Sequence, residues 1–312
     1  MNLIKKVAIF VVSLLILCTN YVPVFAAEEI HYDASLVFGP PTQRIMLEAG
    51  QTYRSSVYIS NPSDSVKATK YTLYVTPYGV SNESYNPVFD QKNTYTQIVD
   101  WITLDKTEGI LQPGEKEDIG FTVNVPVNAP AGGQYATIMA QDTTNLDSNK
   151  EGGGLSISSI TAIGAIVYAS VDGETKKEGV ILENNIPSIL FSSPLEATSR
   201  IKNSGNVHTD AEYVLQVWPL FSDAEICTNE EDPKTILAMP ETELYHKETC
   251  DLPPVGIFRA KQTIKFFGET STVEKMIFIC PLWLLFIIIF AFIMIIMWFV
   301  IRTKKRNKTT KS

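Results

Sequence analysis

Residue types that do chemistry are thinly spread along this chain. The three histidines, His31, His208 and His246, are far apart, and no pair stands at metal-ligand spacing. There is no Gly-x-Ser-x-Gly, no phosphate-cradling glycine loop and no His-Glu-x-x-His. Glu230, Glu231 and Asp232 offer carboxylates to calcium, but lack the alternating spacing with which a loop wraps a cation. They read as a solvated acidic loop. The expectation is a non-enzyme with no catalytic residues, no cofactor and no metal.

Two other groups of side chains could act through binding or cross-linking. Tyr78, Tyr85 and Tyr95 lie in or beside "VTPYGVSNESYNPVFDQKNTY" (75–95), and aromatics exposed on a loop can stack on sugars. Packing beneath that loop is the alternative. Asn82 heads an Asn-Glu-Ser sequon in the same loop, of consequence only in a host that glycosylates. Cys227 and Cys250 bracket an acidic insertion, "TNEEDPKTILAMPETELYHKET", and make an even pair. A disulfide is expected, with two unpaired thiols as the alternative; a zinc pair lacks nearby histidines.

The compartment follows from the ends of the chain. Residues 1–26 carry Lys5 and Lys6, the apolar run "VAIFVVSLLILC" and then "VPVFA", in which Val24 and Ala26 occupy the small-residue positions of a signal-peptidase site. Cleavage after Ala26 is expected, against an uncleaved signal anchor. Leu17 stands before Cys18 where a lipobox needs a small residue, so lipidation is not expected. At the other end, "IFICPLWLLFIIIFAFIMIIMWFVI" (277–301) carries no charge and is long enough to cross a bilayer. The basic tail 302–312 follows it, and by the positive-inside rule lies in the cytoplasm. The expected protein is a single-pass type I cell-membrane protein with an extracellular ectodomain, its tail too short to fold and serving as a topology determinant. The chain's net charge is −8, and its cationic ends hold eight Lys/Arg, which leaves the ectodomain at −16. That balance argues against nucleic acid as a partner.

The elements that must carry these side chains are strands. "LQPGEKEDIGFTVNVPVNAPAGGQY" (111–135) alternates Ile119, Phe121, Val123 and Val125 with polar residues, the pattern of a strand with one buried face. Pro113-Gly114 fits a type II turn, and Pro126 and Pro130 end the ladder before Gly132-Gly133 re-enters as "QYATIMAQ". "YRSSVYIS" (53–60), "KATKYTLYV" (67–75) and "SSITAIGAIVYASV" (158–171) have the same strand character. No long helical periodicity occurs before residue 276. The polar, glycine-rich stretch 142–158 reads as a long loop, and "DGETKKEG" (172–179) as a junction. The second half follows the same pattern of strand, Asn203-Ser204-Gly205-Asn206 turn and strand, and then the closing segments "IFRAKQTIKFF" and "STVEKMIFI". The expected architecture is all-β: two immunoglobulin-like β-sandwiches, 30–172 and 180–276, followed by one transmembrane helix over 277–301.

A family resemblance rests on Trp101-Ile102, the Leu111-Gln112-Pro113-Gly114 turn, the Val125-Pro126 strand end and the Gly132-Gly133-Gln134-Tyr135 re-entry. This stretch resembles the WxL-interacting-protein peptidoglycan-binding domain, an immunoglobulin-like module of Gram-positive surface proteins. "ITAIGAIVYASVDGE" resembles that domain's final strand, and the Asn203–His208 stretch with "FICPLWLLF" resembles the membrane-proximal half of related surface proteins. The resemblance implies surface display and binding of a cell-wall polymer (peptidoglycan) or a surface protein. It supplies no ligand residues, because the shared positions are turns and core. The second half departs from the family's larger host-binding domain, being shorter and carrying the cysteine-bracketed insertion. The alternative is a structural stalk or accessory subunit of a membrane complex.

Overall fold

A computed structural model describes residues 36–82, 84–144 and 161–309, with the side chains of the C-terminal helix described as far as Trp298. The expected signal peptide, its cleavage after Ala26, His31 and most of the 142–158 loop lie outside the described residues.

The first half is a sandwich of ten strands. They are β1 (Val37–Gly39), β2 (Thr42–Leu47), β3 (Thr52–Ser60), β4 (Thr69–Val80), β5 (Pro87–Phe89), β6 (Ile102–Leu104), β7 (Glu108–Leu111), β8 (Lys116–Asn124), β9 (Gly132–Asp142) and β10 (Ala162–Val171). One sheet has the order β1-β3-β8-β6; the other has β2-β10-β9-β4-β5, with β7 also on β4. The alternation that marks β8 is borne out: Ile119, Phe121 and Val123 are buried and meet Val57 and Ile59 of the paired β3 in the core. Gly114 takes a positive φ of 80°, and the Glu115 N–H closes the Pro-Gly turn onto the Gln112 carbonyl at 2.9 Å. Facing strands contribute Tyr71, Leu73, Ile138, Ala165 and Val167.

The second sandwich comprises β11 (Gly179–Asn185), β12 (Ile189–Leu190), β13 (Leu195–Asn203), β14 (Thr209–Pro219), β15 (Cys227–Thr228), β16 (Lys234–Ala238), β17 (Glu243–Cys250), β18 (Gly256–Phe266) and β19 (Glu269–Ile279). A three-stranded sheet, β11-β13-β17, faces a six-stranded one, β12-β19-β18-β14-β15, with β16 on β14. Its core falls into two apolar clusters. One holds Leu195, Val217, Phe258 and Ile277; the other holds Ile201, Tyr213, Leu244 and Ile264. Ser199 and Gln262, both fully buried, occupy the strand positions between the clusters, and the amide of Gln262 has no hydrogen-bond partner.

The final strand runs further than expected. β19 continues to Ile279, and helix α1 begins only at Leu282, so the apolar run from 277 is divided between two elements. Burial alternates through Ile277, Phe278 and Ile279, and their partners Phe258, Ile257 and Gly256 lie on β18. A continuous apolar run hides that two-residue period. Cys280, expected within the membrane span, is buried at the junction, a free thiol. α1 (Leu282–Thr309) also takes in most of the basic tail, which was expected to be too short to fold. Among the described residues, no helix is long and apolar enough to cross a membrane; the described side chains stop at Trp298, before the uncharged run ends at Ile301.

Candidate functional site at the junction of the sandwiches

The loop tyrosines, for which sugar stacking and packing beneath the loop were both open, lie between the two sandwiches. Tyr78 is 6% exposed and stands edge-on to Tyr168, with ring centroids 5.7 Å apart. Tyr85 reaches into the second sandwich, where its hydroxyl donates to the Leu237 carbonyl at 2.7 Å and accepts the Met239 N–H at 2.5 Å. Burial pushes its pKa up to about 12. Tyr95 is half-buried; burial and a hydrogen bond to Glu241 raise it to about 12 as well. Tyr78 and Tyr85 therefore do not offer a free face to a sugar. Their rings are held by packing, the alternative that the loop's sequence left open.

The strand that receives Tyr85 lies inside the cysteine-bracketed insertion. β16 pairs with β14, and the residues after it, Met239 to Thr242, line the junction together with Tyr78, Tyr95 and Tyr135. The insertion is thus a docking element as well as an acidic loop. Its acidic end is tied down too: Glu230 accepts a hydrogen bond from Gln216 at 2.8 Å. Among the described residues, no group of three His, Cys, Asp or Glu side chains could hold a metal ion.

A second set of contacts joins the turn at Asn203–His208 to the start of β9. The Gly133 N–H donates to the Asn206 carbonyl at 2.7 Å, and the Asn206 side-chain amide donates to the Ala131 carbonyl at 3.2 Å. Gly132 has a φ of 113°, and a side chain on it would run into Asn206; one on Gly133 would overlap the Tyr135 hydroxyl. The Tyr135 hydroxyl lies 3.1 Å from Nδ1 of His208 and accepts the His208 backbone N–H, also at 3.1 Å. Burial lowers the His208 pKa to about 4, and Arg44 adds to the shift while Asp210 opposes it. Arg44 on β2 completes the junction with a two-pronged pair to Asp210, at 2.7 and 2.9 Å.

This arrangement joins the two sandwiches. The imidazole of His208 is engaged by Tyr135, and the adjoining cleft of about 80 Å³ has room for only a few waters. His246 lies elsewhere, its ring tilted against Tyr213 with centroids 4.6 Å apart and Nε2 2.7 Å from Glu248. An open depression of about 500 Å³ on the second sandwich is lined by Pro187, Ile189, Phe191, Ser193 and Glu196, without a cluster of titratable groups. Cys227 and Cys250 form a disulfide, with Cα atoms 6.3 Å apart. It ties β15 of the six-stranded sheet to the end of β17 in the three-stranded one, a cross-sheet role that spacing alone did not reveal.

The junction is hidden in the sequence because its parts are distant and individually ordinary: a Gly-Gly re-entry, an Asn-Ser-Gly-Asn turn and a tyrosine loop. One signal was available. Every residue of β9 from Gly132 to Ile138 is buried, on both faces, and "GGQYATI" lacks the charges that a half-exposed strand would carry.

No family model matches the chain, and no curated protein matches it, so the resemblance to the WxL-interacting family finds no support there. Many solved structures match. A chain from the chaperone–tip adhesin complex of CFA/I fimbriae is 14% identical, covering 78% of this chain and 99% of its own, with a TM-score of 0.36. The class 5 fimbriae chaperone CfaA is also 14% identical, covering 77% and 98%, with a TM-score of 0.35. A chain from the Salmonella enterica SafA pilin–SafB chaperone complex is 11% identical, covering 78% and 96%, with a TM-score of 0.34. At such identities and scores these are likenesses of sandwich architecture and carry no argument about activity.

Proposed function

We propose that this chain is a non-catalytic, membrane-anchored cell-surface protein whose joined sandwiches bind a surface protein partner. The observation that carries this reading is the junction itself. Tyr85, Tyr135, His208 and the Arg44–Asp210 pair hold the two sandwiches together with side chains that would otherwise be candidates for chemistry. Anchoring is supported by the uncharged run to Ile301, which β19 feeds after only Cys280 and Pro281, and by the basic residues that follow. The resemblance to wall-associated modules offers peptidoglycan as an alternative ligand; of the three tyrosines considered for stacking on it, Tyr78 is buried and Tyr85 is bonded into the second sandwich, while Tyr95 is half-buried. A stalk is the second reading, favoured by the direct passage from sandwich to helix.

One fractionation separates these readings. The ectodomain, ended after Cys280 so that β19 stays whole, is mixed with isolated cell walls before and after protease stripping. Binding lost on stripping supports a protein partner, and binding retained points to the wall polymer. An ectodomain that stays in the supernatant with both preparations is the result expected of a stalk.

A further inference from the structure

The second sandwich carries an apolar layer at the end from which α1 leaves. Phe278 of β19 is opposite Ile257 of β18 and Ile189 of β12, and all three point outward, at 49%, 41% and 61% exposure. The Leu220 N–H donates to the Ile257 carbonyl, which brings the 94%-exposed Phe221 to the same level. Phe191 follows β12 and Val255 precedes β18, both about half exposed. These six side chains come from four separate segments, 189–191, 220–221, 255–257 and 278, which strand pairing and the Leu220–Ile257 hydrogen bond bring to one end of one sheet. The first charged side chains up the strands are Lys275, held by Asn185, and Arg259, paired with Asp223. An apolar surface rimmed in this way marks a contact site.

We infer that this layer rests in the headgroup region of the bilayer, so that the sandwich lies on the membrane rather than standing clear of it. The inference depends on the anchoring proposed above and adds where the second sandwich sits. Length decides the occupant. Leu282 to Ile301 rises about 30 Å as a helix, matching the hydrocarbon core of about 30 Å and leaving no spare apolar turn outside it. Leu282 must then stand at the hydrocarbon boundary. Phe278 lies four residues earlier, at most about 14 Å of extended chain away. The headgroup layer occupies roughly 5–8 Å on each side. Only the buried Cys280 and Pro281 join β19 to the helix, so the sandwich end clears that layer only if this connection runs fully extended along the membrane normal. The exposed start of the helix, Leu282 and Trp283, follows Phe278 within five residues of chain, and a protein partner or second copy would have to compete with lipid already in reach.

The test uses the full chain with Cys18→Ala and Cys280→Ala, its disulfide intact, one copy per phosphatidylcholine nanodisc to exclude self-association. Spin labels are placed singly at Phe278→Cys, Phe221→Cys, Thr272→Cys and Trp283→Cys. Phe221 is almost fully exposed, so its label reports even if the Phe278 variant folds poorly. Thr272 shares the outward face of β19 with Phe278, further up the strand. The expected ratio of oxygen to nickel-chelate accessibility at 278 and 221 is several-fold above that at 272, approaching the value at 283. Ratios at 278 and 221 equal to that at 272, with 283 in lipid, would overturn the inference and leave anchoring intact. A water-exposed label at 283 would overturn both.

Discussion

Tyr135 and His208 meet twice across the junction, hydroxyl to ring nitrogen and backbone N–H to hydroxyl, each at 3.1 Å. Burial favours the neutral imidazole, and with its proton on Nε2 the ring's Nδ1 accepts the tyrosine proton. Its pKa of about 4 lies below the ordinary 6.5. Between those values the unfolded chain binds a proton that the folded chain does not. Stability therefore falls as pH drops from 6.5 to 4, and this contribution levels off below 4. With the ring partly in contact with solvent, the loss should be about 2 kcal/mol. Denaturant midpoints measured across that range should fall more steeply for the native chain than for His208→Gln; parallel slopes would contradict the assignment.

Tyr85→Phe should loosen the junction without disturbing either core. It strands two backbone groups, the Leu237 carbonyl and the Met239 N–H, at a cost of about 1–3 kcal/mol. Hydrogen exchange should quicken at β16 and in the 78–95 loop while the centres of β8 and β18 stay protected. Unchanged exchange at β16 would show that the hydroxyl does not hold the sandwiches together.

What could be read from the sequence follows from how far apart the cooperating residues are. The alternation of Ile119, Phe121 and Val123 and the Pro113-Gly114 turn are local signals, and the structure repeats them. The cysteine pair was legible because the chain offers few cysteines to choose from. The junction was not legible. Asn206 and Gly133 are distant in sequence, and a tyrosine bound to a backbone carbonyl looks the same in a sequence as one waiting for a ligand. The end of β19 was obscured for another reason: an apolar strand that runs into an apolar helix leaves no polar break between them.

The disulfide should matter to one sandwich only. Replacing Cys227 and Cys250 by alanine unties the two sheets of the second sandwich, at a cost of about 2–4 kcal/mol. Hydrogen exchange should rise in β13, β17 and β18 and remain unchanged in β3 and β8. Equal destabilisation of both sandwiches would mean that they unfold as one cooperative unit.

Gln262 offers a change in the opposite direction. Its amide is fully buried and unpartnered between two apolar clusters, so it contributes desolvation cost without a compensating bond. Gln262→Met, of similar shape, should stabilise the second sandwich by about 1 kcal/mol or more. A fall in the denaturant midpoint would mean that the amide is satisfied in solution.

Display at the cell surface from a C-terminal anchor is the central claim. Proteinase added to intact cells carrying a tag after Ser312 tests it most directly. Digestion of both sandwiches, with the tag protected until the cells are lysed, is the predicted result. A tag removed from intact cells, or sandwiches that survive until lysis, would contradict it.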